Sequence, residues 1–425
     1  MRLELSQKEL AKRIELNRNR LATGDYYSFE NIFSPPDYDW YGDKEGRALL
    51  AFVCHYAVSG EKISCMDSLT AAWDSHVNEK GFFGPDFSPA IHEQQLSGHS
   101  WVLRGLCEHY EQFGDEESLR RVGSIVSNLF LNRKGRFSEY PTHRGGDNSG
   151  GVSGSESAVI GDWILSSDVG CAFMALDGLS HAYKLLPSAE LLSLLDEMFT
   201  AFCAIDKEGI QMQTHCALSA GRGMMRLYGL TANEKYLCGA KELFSLYETR
   251  GTTATCQNMN WWGRPNTWTE PCAIVDSVML ALTLYRATGN STYRTFAAKA
   301  FHNGLATAQR PNGGAGTDTV VLPGACDTLR PDMPEAFFCC TMRLAEGLRF
   351  AHDNREELWA EVTGTVTKNG QIYSDGDIIY GQPNENALPF AENTVTVDGM
   401  TLCPIVKLYK TPEGIWQKTS QKILF

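Results

Sequence analysis

TEPCAIVDSVMLALTLYRATGNSTYRTFAAKAFHNGL, residues 269–305, is the stretch on which the fold is read. From Cys272 to Ala287, apolar side chains recur at i, i+3, i+4 and i+7, the spacing of an amphipathic helix. A Gly289-Asn290 turn leads into a second helix, polar first and apolar later, so the stretch predicts an αα-hairpin. FGDEESLRRVGSIV (113–126) and LTANEKYLCGAKELF (230–244) repeat the turn-then-helix pattern of ATGNSTYRTFAAKAF (287–301), starting 117 and then 57 residues apart. Such irregular spacing excludes a uniform solenoid and predicts a mainly α chain, a closed toroid of helical hairpins over residues 1–354. Small residues at Gly105, Ala175, Gly178, Ala220, Gly223 and Ala281 lie on the same helix faces, where helices pack closely.

Residues 133–162, 251–271 and 309–336 are rich in Gly, Asn, Thr and Trp and are expected as long loops at one end, where function concentrates. After about residue 355, period-two alternation around Asn-Gly and Asp-Gly predicts short hairpins, a small β-rich module over 355–425.

Composition narrows the function. With 38 Lys and Arg against 51 Asp and Glu the net charge is −13, which argues against nucleic acid or an anionic membrane as partner and favours a neutral or nearly neutral substrate. MRLELSQKELAKRIELNRNRL at the N-terminus has no apolar core of a signal peptide or a membrane span, so a cytoplasmic protein is expected. Its 13 cysteines are then mostly reduced thiols inside the core.

A few of them stand apart. Glu270-Pro-Cys272 opens one helix, and Cys339-Cys340 opens another 67 residues later. An adjacent pair alone is weak, expected by chance roughly 0.4 times at this cysteine content. Adjacent cysteines inside a helix point about 100° apart, but at a helix N-terminus both sulfurs reach one ion, and the positive dipole end favours thiolates. Three thiolates and a carboxylate make a tetrahedral Zn2+ site.

The stretch 269–305, followed by EAFFCCTMRLAEGL (335–348), resembles the catalytic domain of glycoside hydrolase family 127, the β-L-arabinofuranosidase-like enzymes. WYGDKEGRALLA (40–51) and EQQLSGHSWVLRGLCEHY (93–110) resemble the family's early helices. The resemblance implies an (α/α)6 toroid or barrel with zinc on Glu270, Cys272, Cys339 and Cys340, with Cys339 as the nucleophile of a retaining glycosidase and a protein that often forms a homodimer. Zinc deprotonates a coordinated thiol and so supplies a nucleophile at neutral pH. The bland alternative is a closed zinc site that only pins two helices together.

Family members place an acid/base glutamate in the loop before Glu-x-Cys, yet GTTATCQNMNWWGRPNTWT (251–269) has no carboxylate. Glu335, just before the cysteine pair, is the expected substitute, with Asp318, Asp327 and Glu248 as further candidates. His99, His143 and His215 lie near helix ends or in long loops, where sugar hydroxyls are bound. His55, His109 and His181 lie within helical patterns and read as core or surface residues. Trp261, Trp262 and Trp268, with Arg264 and Asn258, crowd one loop as a stacking platform for a sugar ring, or else as a hydrophobic lid. A helical toroid is also the scaffold of polysaccharide lyases, epimerases and unsaturated uronide hydrolases, for which Asp168, His215 and Tyr228 are the candidates. A silent sugar-binding protein with structural zinc is the third reading.

Overall fold

A computed structural model of the chain describes residues 2–3, 7–34, 40–144, 154–252, 256, 258–264, 267–319 and 331–358, together with short strands between residues 360 and 418. The chain forms two units: residues 22–245 with 261–265, and residues 1–21, 246–260 and 266–425.

In the first of these, four helices are buried almost all round: Asp43–Ser59, Glu93–Phe113, Ala175–Leu185 and Thr214–Thr231. Successive members pack side by side. Glycine sets how closely: a Cβ on Gly46 would sit 2.2 Å from the Val102 nitrogen, and one on Gly223 2.4 Å from the Leu176 carbonyl oxygen. The small residues read from the sequence therefore mark backbone-to-backbone contacts. Glu116–Ile125, Ala189–Ala204 and Glu234–Leu246 bury a single stripe instead; in Ala189–Ala204 it runs Leu191, Leu194, Leu195, Met198 and Phe202. Asp115 and Ser188 start two of them by accepting the Ser118 and Leu191 N–H groups at 3.0 and 3.1 Å.

The stretch expected as a loop over 133–162 contains a strand. Glu156–Ile160 pairs antiparallel with Trp163–Ser166, which pairs parallel with Ile91–His92 at the start of the Glu93 helix. Five residues of alternating exposure are too short a signal to stand out from a Ser- and Gly-rich neighbourhood.

In the other unit, Pro271–Thr288 ends at Gly289, which has a φ of +71°, and Ser291–Lys299 follows with Asn290 as its cap. This is the hairpin predicted from 269–305. Cys340–Asp353 packs against Pro271–Thr288. The first helix begins at Gln7; its buried Arg13 and Asn17 donate to the Ala306 and Gly313 carbonyls at 2.8 and 2.9 Å. Trp268–Thr269, Thr317–Thr319 and Pro331–Met333 form a small antiparallel sheet. Farther on, Tyr373–Ser374 pairs with Ile379–Gly381, Val395–Val397 with Met400–Pro404, and Leu408–Lys410 with Trp416–Lys418, in keeping with the hairpin pattern.

Candidate metal centre

Glu270 is the N-cap of the Pro271–Thr288 helix and Pro271 its first residue, where a missing N–H costs nothing. The Glu270 N–H donates to the Asn258 side-chain oxygen at 2.6 Å, which fixes the direction in which the chain enters the helix. Cys339 caps Cys340–Asp353, with φ −143° and ψ −64°, and its carbonyl accepts the Arg343 N–H at 3.0 Å. This non-helical geometry is what lets two adjacent cysteines converge.

One donor atom from each of Glu270, Cys272, Cys339 and Cys340 lies within 4.8 Å of all the others. Cys272 Sγ is 3.4 Å from Cys340 Sγ, and Cys339 Sγ is 3.5 Å from Cys340 Sγ. Thiolates around a tetrahedral ion stand about 3.8 Å apart, so shifts of tenths of an ångström would close the set on a metal. Burial pushes the Cys272 and Cys340 thiols well above the usual thiol range, which keeps these two protonated by themselves. A coordinated dication reverses that preference, since a ligating thiol loses its proton outright. Donor set, spacing and two helix N-termini thus fit a soft divalent ion. Cys339 is half-buried whereas Cys272 and Cys340 are fully buried, so Cys339 is the residue of the three with surface open to solvent.

Glu335 lies close by in the chain. It accepts from Arg20 Nε at 2.8 Å, Asn312 Nδ2 at 2.8 Å and Thr341 Oγ1 at 3.1 Å, which anchors the segment leading into Cys339. Asp318 pairs through its backbone with Thr269, Glu248 is exposed, and Asp327 lies outside the described residues. Asn258 serves the helix start as described. Trp268 is half-buried in the small sheet, its carbonyl accepting from the Asn260 N–H at 3.0 Å.

The remaining candidates fall in the other unit. His99 is fully buried: Nδ1 meets the Gln95 carbonyl at 2.8 Å and Nε2 accepts the Phe83 N–H at 2.9 Å. Burial, against that carbonyl, pulls it down to about 4, so it is a neutral histidine occupied by the fold. His143 is exposed beside Thr142. His215 is buried at the start of its helix, stacked with Trp101 at 5.7 Å between ring centres; the Arg47 guanidinium lies 4.2 Å from the same Trp101 ring. Trp261 and Trp262 are 1% and 0% exposed, and the Arg264 guanidinium sits 4.1 Å from the Trp261 ring. Tyr228 shares a helix with His215 but stands 13 residues away, about 20 Å along the axis, so the structure does not assemble Asp168, His215 and Tyr228 into one group. His55, His109 and His181 are buried, in line with their helical positions.

Two acids escaped the sequence reading. Glu93, with no exposed surface, accepts from Tyr140 Oη at 2.6 Å, the Ser166 N–H at 2.9 Å, the Gly170 N–H at 3.0 Å and Arg144 Nη2 at 3.2 Å. It clamps the 137–144 and 163–170 segments to the start of its helix. Glu45 lies in the first turn of Asp43–Ser59, 9% exposed, and burial raises it to about 7. The available signal was a carboxylate at the head of an otherwise apolar run.

No family model matches the chain, and no curated protein matches its sequence. Solved structures do match. A family 127 β-arabinofuranosidase superposes with a TM-score of 0.56 at 14% identity, over 90% of this chain and 66% of its own. An unsaturated glucuronyl hydrolase specific for heparin gives 0.56 at 13% identity, over 83% of this chain and 100% of its own. The chain folds as an α/α toroid. A second family 127 enzyme, the β-L-arabinofuranosidase of Geobacillus stearothermophilus T6, shares this toroid with a TM-score of 0.53 at 12% identity, over 97% of this chain and 70% of its own. The chain spans just under two thirds of the length of the first of these proteins. The resemblance read from residues 269–350 is thus met at the level of the fold. Among the described residues, no helix is long and apolar enough to cross a membrane.

Proposed function

We propose that this toroid is a glycoside hydrolase of the family 127 kind, acting on a neutral glycoside through a metal-bound cysteine. The observation that carries the reading is the convergence of Glu270, Cys272, Cys339 and Cys340 on one point. The toroid by itself does not choose, since an unsaturated glucuronyl hydrolase shares it. A cluster of three thiols and a carboxyl supports the hydrolase reading, since the His, Tyr or Asp chemistry of a lyase or hydratase needs no thiolate.

Zinc is the proposed ion, and its chemical contribution is to hold the thiols deprotonated at neutral pH. Cys339, the half-buried member, is the proposed nucleophile. Its sulfur bonds to the anomeric carbon as the bond to the leaving oxygen breaks, and that oxygen takes a proton from a general acid. Water then displaces the sulfur, retaining the anomeric configuration. Glu335 is the proposed acid, oriented by Arg20, Asn312 and Thr341.

Elemental analysis together with a panel of aryl glycosides, pentofuranosides first, tests this. One zinc per chain is expected, with turnover abolished in Cys339→Ala. Zinc far below one per chain, or full turnover by Cys339→Ala, would sink the mechanism. Glu335→Gln should slow substrates with basic leaving groups far more than those with acidic phenols, because only the former need a proton. An equal loss across leaving groups would make Glu335 an anchor alone.

A further inference from the structure

We propose that the buried Asp276–Arg343–Glu346 triad is the positioning device that brings the Cys272, Cys339 and Cys340 thiols to one point. This rests on the metal reading above. Asp276 follows Cys272 by four residues and Arg343 follows Cys340 by three, so each lies one turn below its cysteine on the same helix face. Arg343 bonds across to Asp276 and along its own helix to Glu346. Exposures of 0%, 1% and 4% for Asp276, Arg343 and Glu346 place the whole triad out of water.

Three contacts then fix the two helices against each other. At the top stand the thiols, with Cys272 and Cys340 sulfurs 3.4 Å apart. Below them is the ion pair. Beside the ion pair, a Cβ on Gly347, one turn past Arg343, would lie 2.8 Å from Cγ2 of Val275, the neighbour of Asp276, so the two helices are closely packed there. The backbone N–H of Arg343 donates to the Cys339 carbonyl at 3.0 Å, the first bond of the helix, so the residue that carries the guanidinium is one turn from the peptide that aims the Cys339 and Cys340 side chains.

Ion pairs this deeply buried are poor sources of stability; apolar pairs of the same volume often do as well. What a guanidinium adds is direction. Its planar fork meets a carboxylate in one orientation, whereas leucine against methionine slides freely. Metal ligands tolerate errors of only about 0.2 Å, so a site built on two separate helices needs such a register pin.

Cobalt(II) titration of metal-free protein tests the proposal, read by thiolate-to-cobalt charge-transfer absorbance and by competition with a colorimetric chelator. Thermal unfolding is followed in parallel. Asp276→Asn and the apolar pair Asp276→Leu with Arg343→Met should each weaken cobalt binding by about tenfold or more. The apolar pair should melt closer to wild type than Asp276→Asn does, separating metal affinity from stability. Leu284→Ala, in the core of the same helix but 12 residues from Cys272, should lower the melting temperature and leave cobalt affinity unchanged. Should Asp276→Asn not fold, Arg343→Lys, which keeps the charge and loses the fork, is expected to weaken binding in its place. Wild-type affinity in the apolar pair overturns the proposal, as does an equal loss in Leu284→Ala. A wild-type protein that binds no cobalt defeats the metal reading itself, a result distinct from wild-type binding that the triad variants share unchanged.

Discussion

Replacing Glu45 by glutamine should make the protein more stable, and only above a certain pH. Glu45 is 9% exposed and titrates at about 7 in the folded chain, against 4.5 when unperturbed, because burial disfavours its charged form. Between those values the folded state holds a proton that the unfolded state has released. Stability therefore falls as pH rises from 4.5 towards 7, and above 7 the full cost is present. At 1.36 kcal/mol for each pH unit separating the two values, that cost is about 3 kcal/mol. Glutamine keeps the shape and carries no charge, so Glu45→Gln should match wild type near pH 4.5 and exceed it by about 3 kcal/mol at pH 8. For a unit of this size, that is a gain of about 6–12 °C in melting temperature. Thermal melts followed by tryptophan fluorescence at half-unit steps from pH 4.5 to 8 measure the difference directly. Parallel curves for the two proteins across the range would refute the reasoning, since a constant offset reflects packing and not a proton.

Other outcomes follow from the same geometry. Glu93→Gln strands the buried Arg144 charge and should cost about 3–5 kcal/mol in denaturant unfolding, while Tyr140→Phe, which removes the hydroxyl that Glu93, Arg144 and the Gly170 N–H share but leaves Glu93 to pair with the other two, should cost less, about 1–3 kcal/mol. Asn258→Ala leaves the Glu270 N–H without its acceptor; a loss of about 1–3 kcal/mol is expected, together with weaker metal retention on dialysis. Metal stripped by chelator and restored at 100 times its dissociation constant should raise stability by about 2.7 kcal/mol, and Cys272→Ala should abolish that increment.

How much of this was legible depends on the range over which each signal acts. Helical periodicity is local, so the hairpin at 269–305 and the close-packed Gly223 could be read directly, and the toroid followed. The metal cluster was legible for a related reason: both halves of the set sit at helix starts, where residue type and spacing decide what can converge. Trp261 and Trp262 were ambiguous because a tryptophan on a loop faces solvent or core according to partners far away in the chain; here the backbone N–H of Trp262 donates to the Met212 carbonyl at 3.2 Å and its ring is fully buried. Glu93 was invisible for the same reason. Its four partners lie 47 to 77 residues downstream, and nothing near it in sequence marks a carboxylate as a clamp. His99 followed helical rules for placement, but only the contact with Phe83 reveals that both of its ring nitrogens are used.

The first helix carries a consequence for the order of events during synthesis. Arg13 waits for the Ala306 carbonyl, 293 residues later in the chain. At about 5–20 residues per second, a ribosome needs roughly 15–60 s to deliver that partner. Residues 22–245 form a nearly continuous unit and have most of their own contacts in hand long before then. The opening segment must stay unpaired until the chain reaches the stretch that also completes the thiol cluster. On the proposed function, loading of the metal is then a late step, coupled to the moment at which the helix carrying Arg13 is tied to the segment around Ala306.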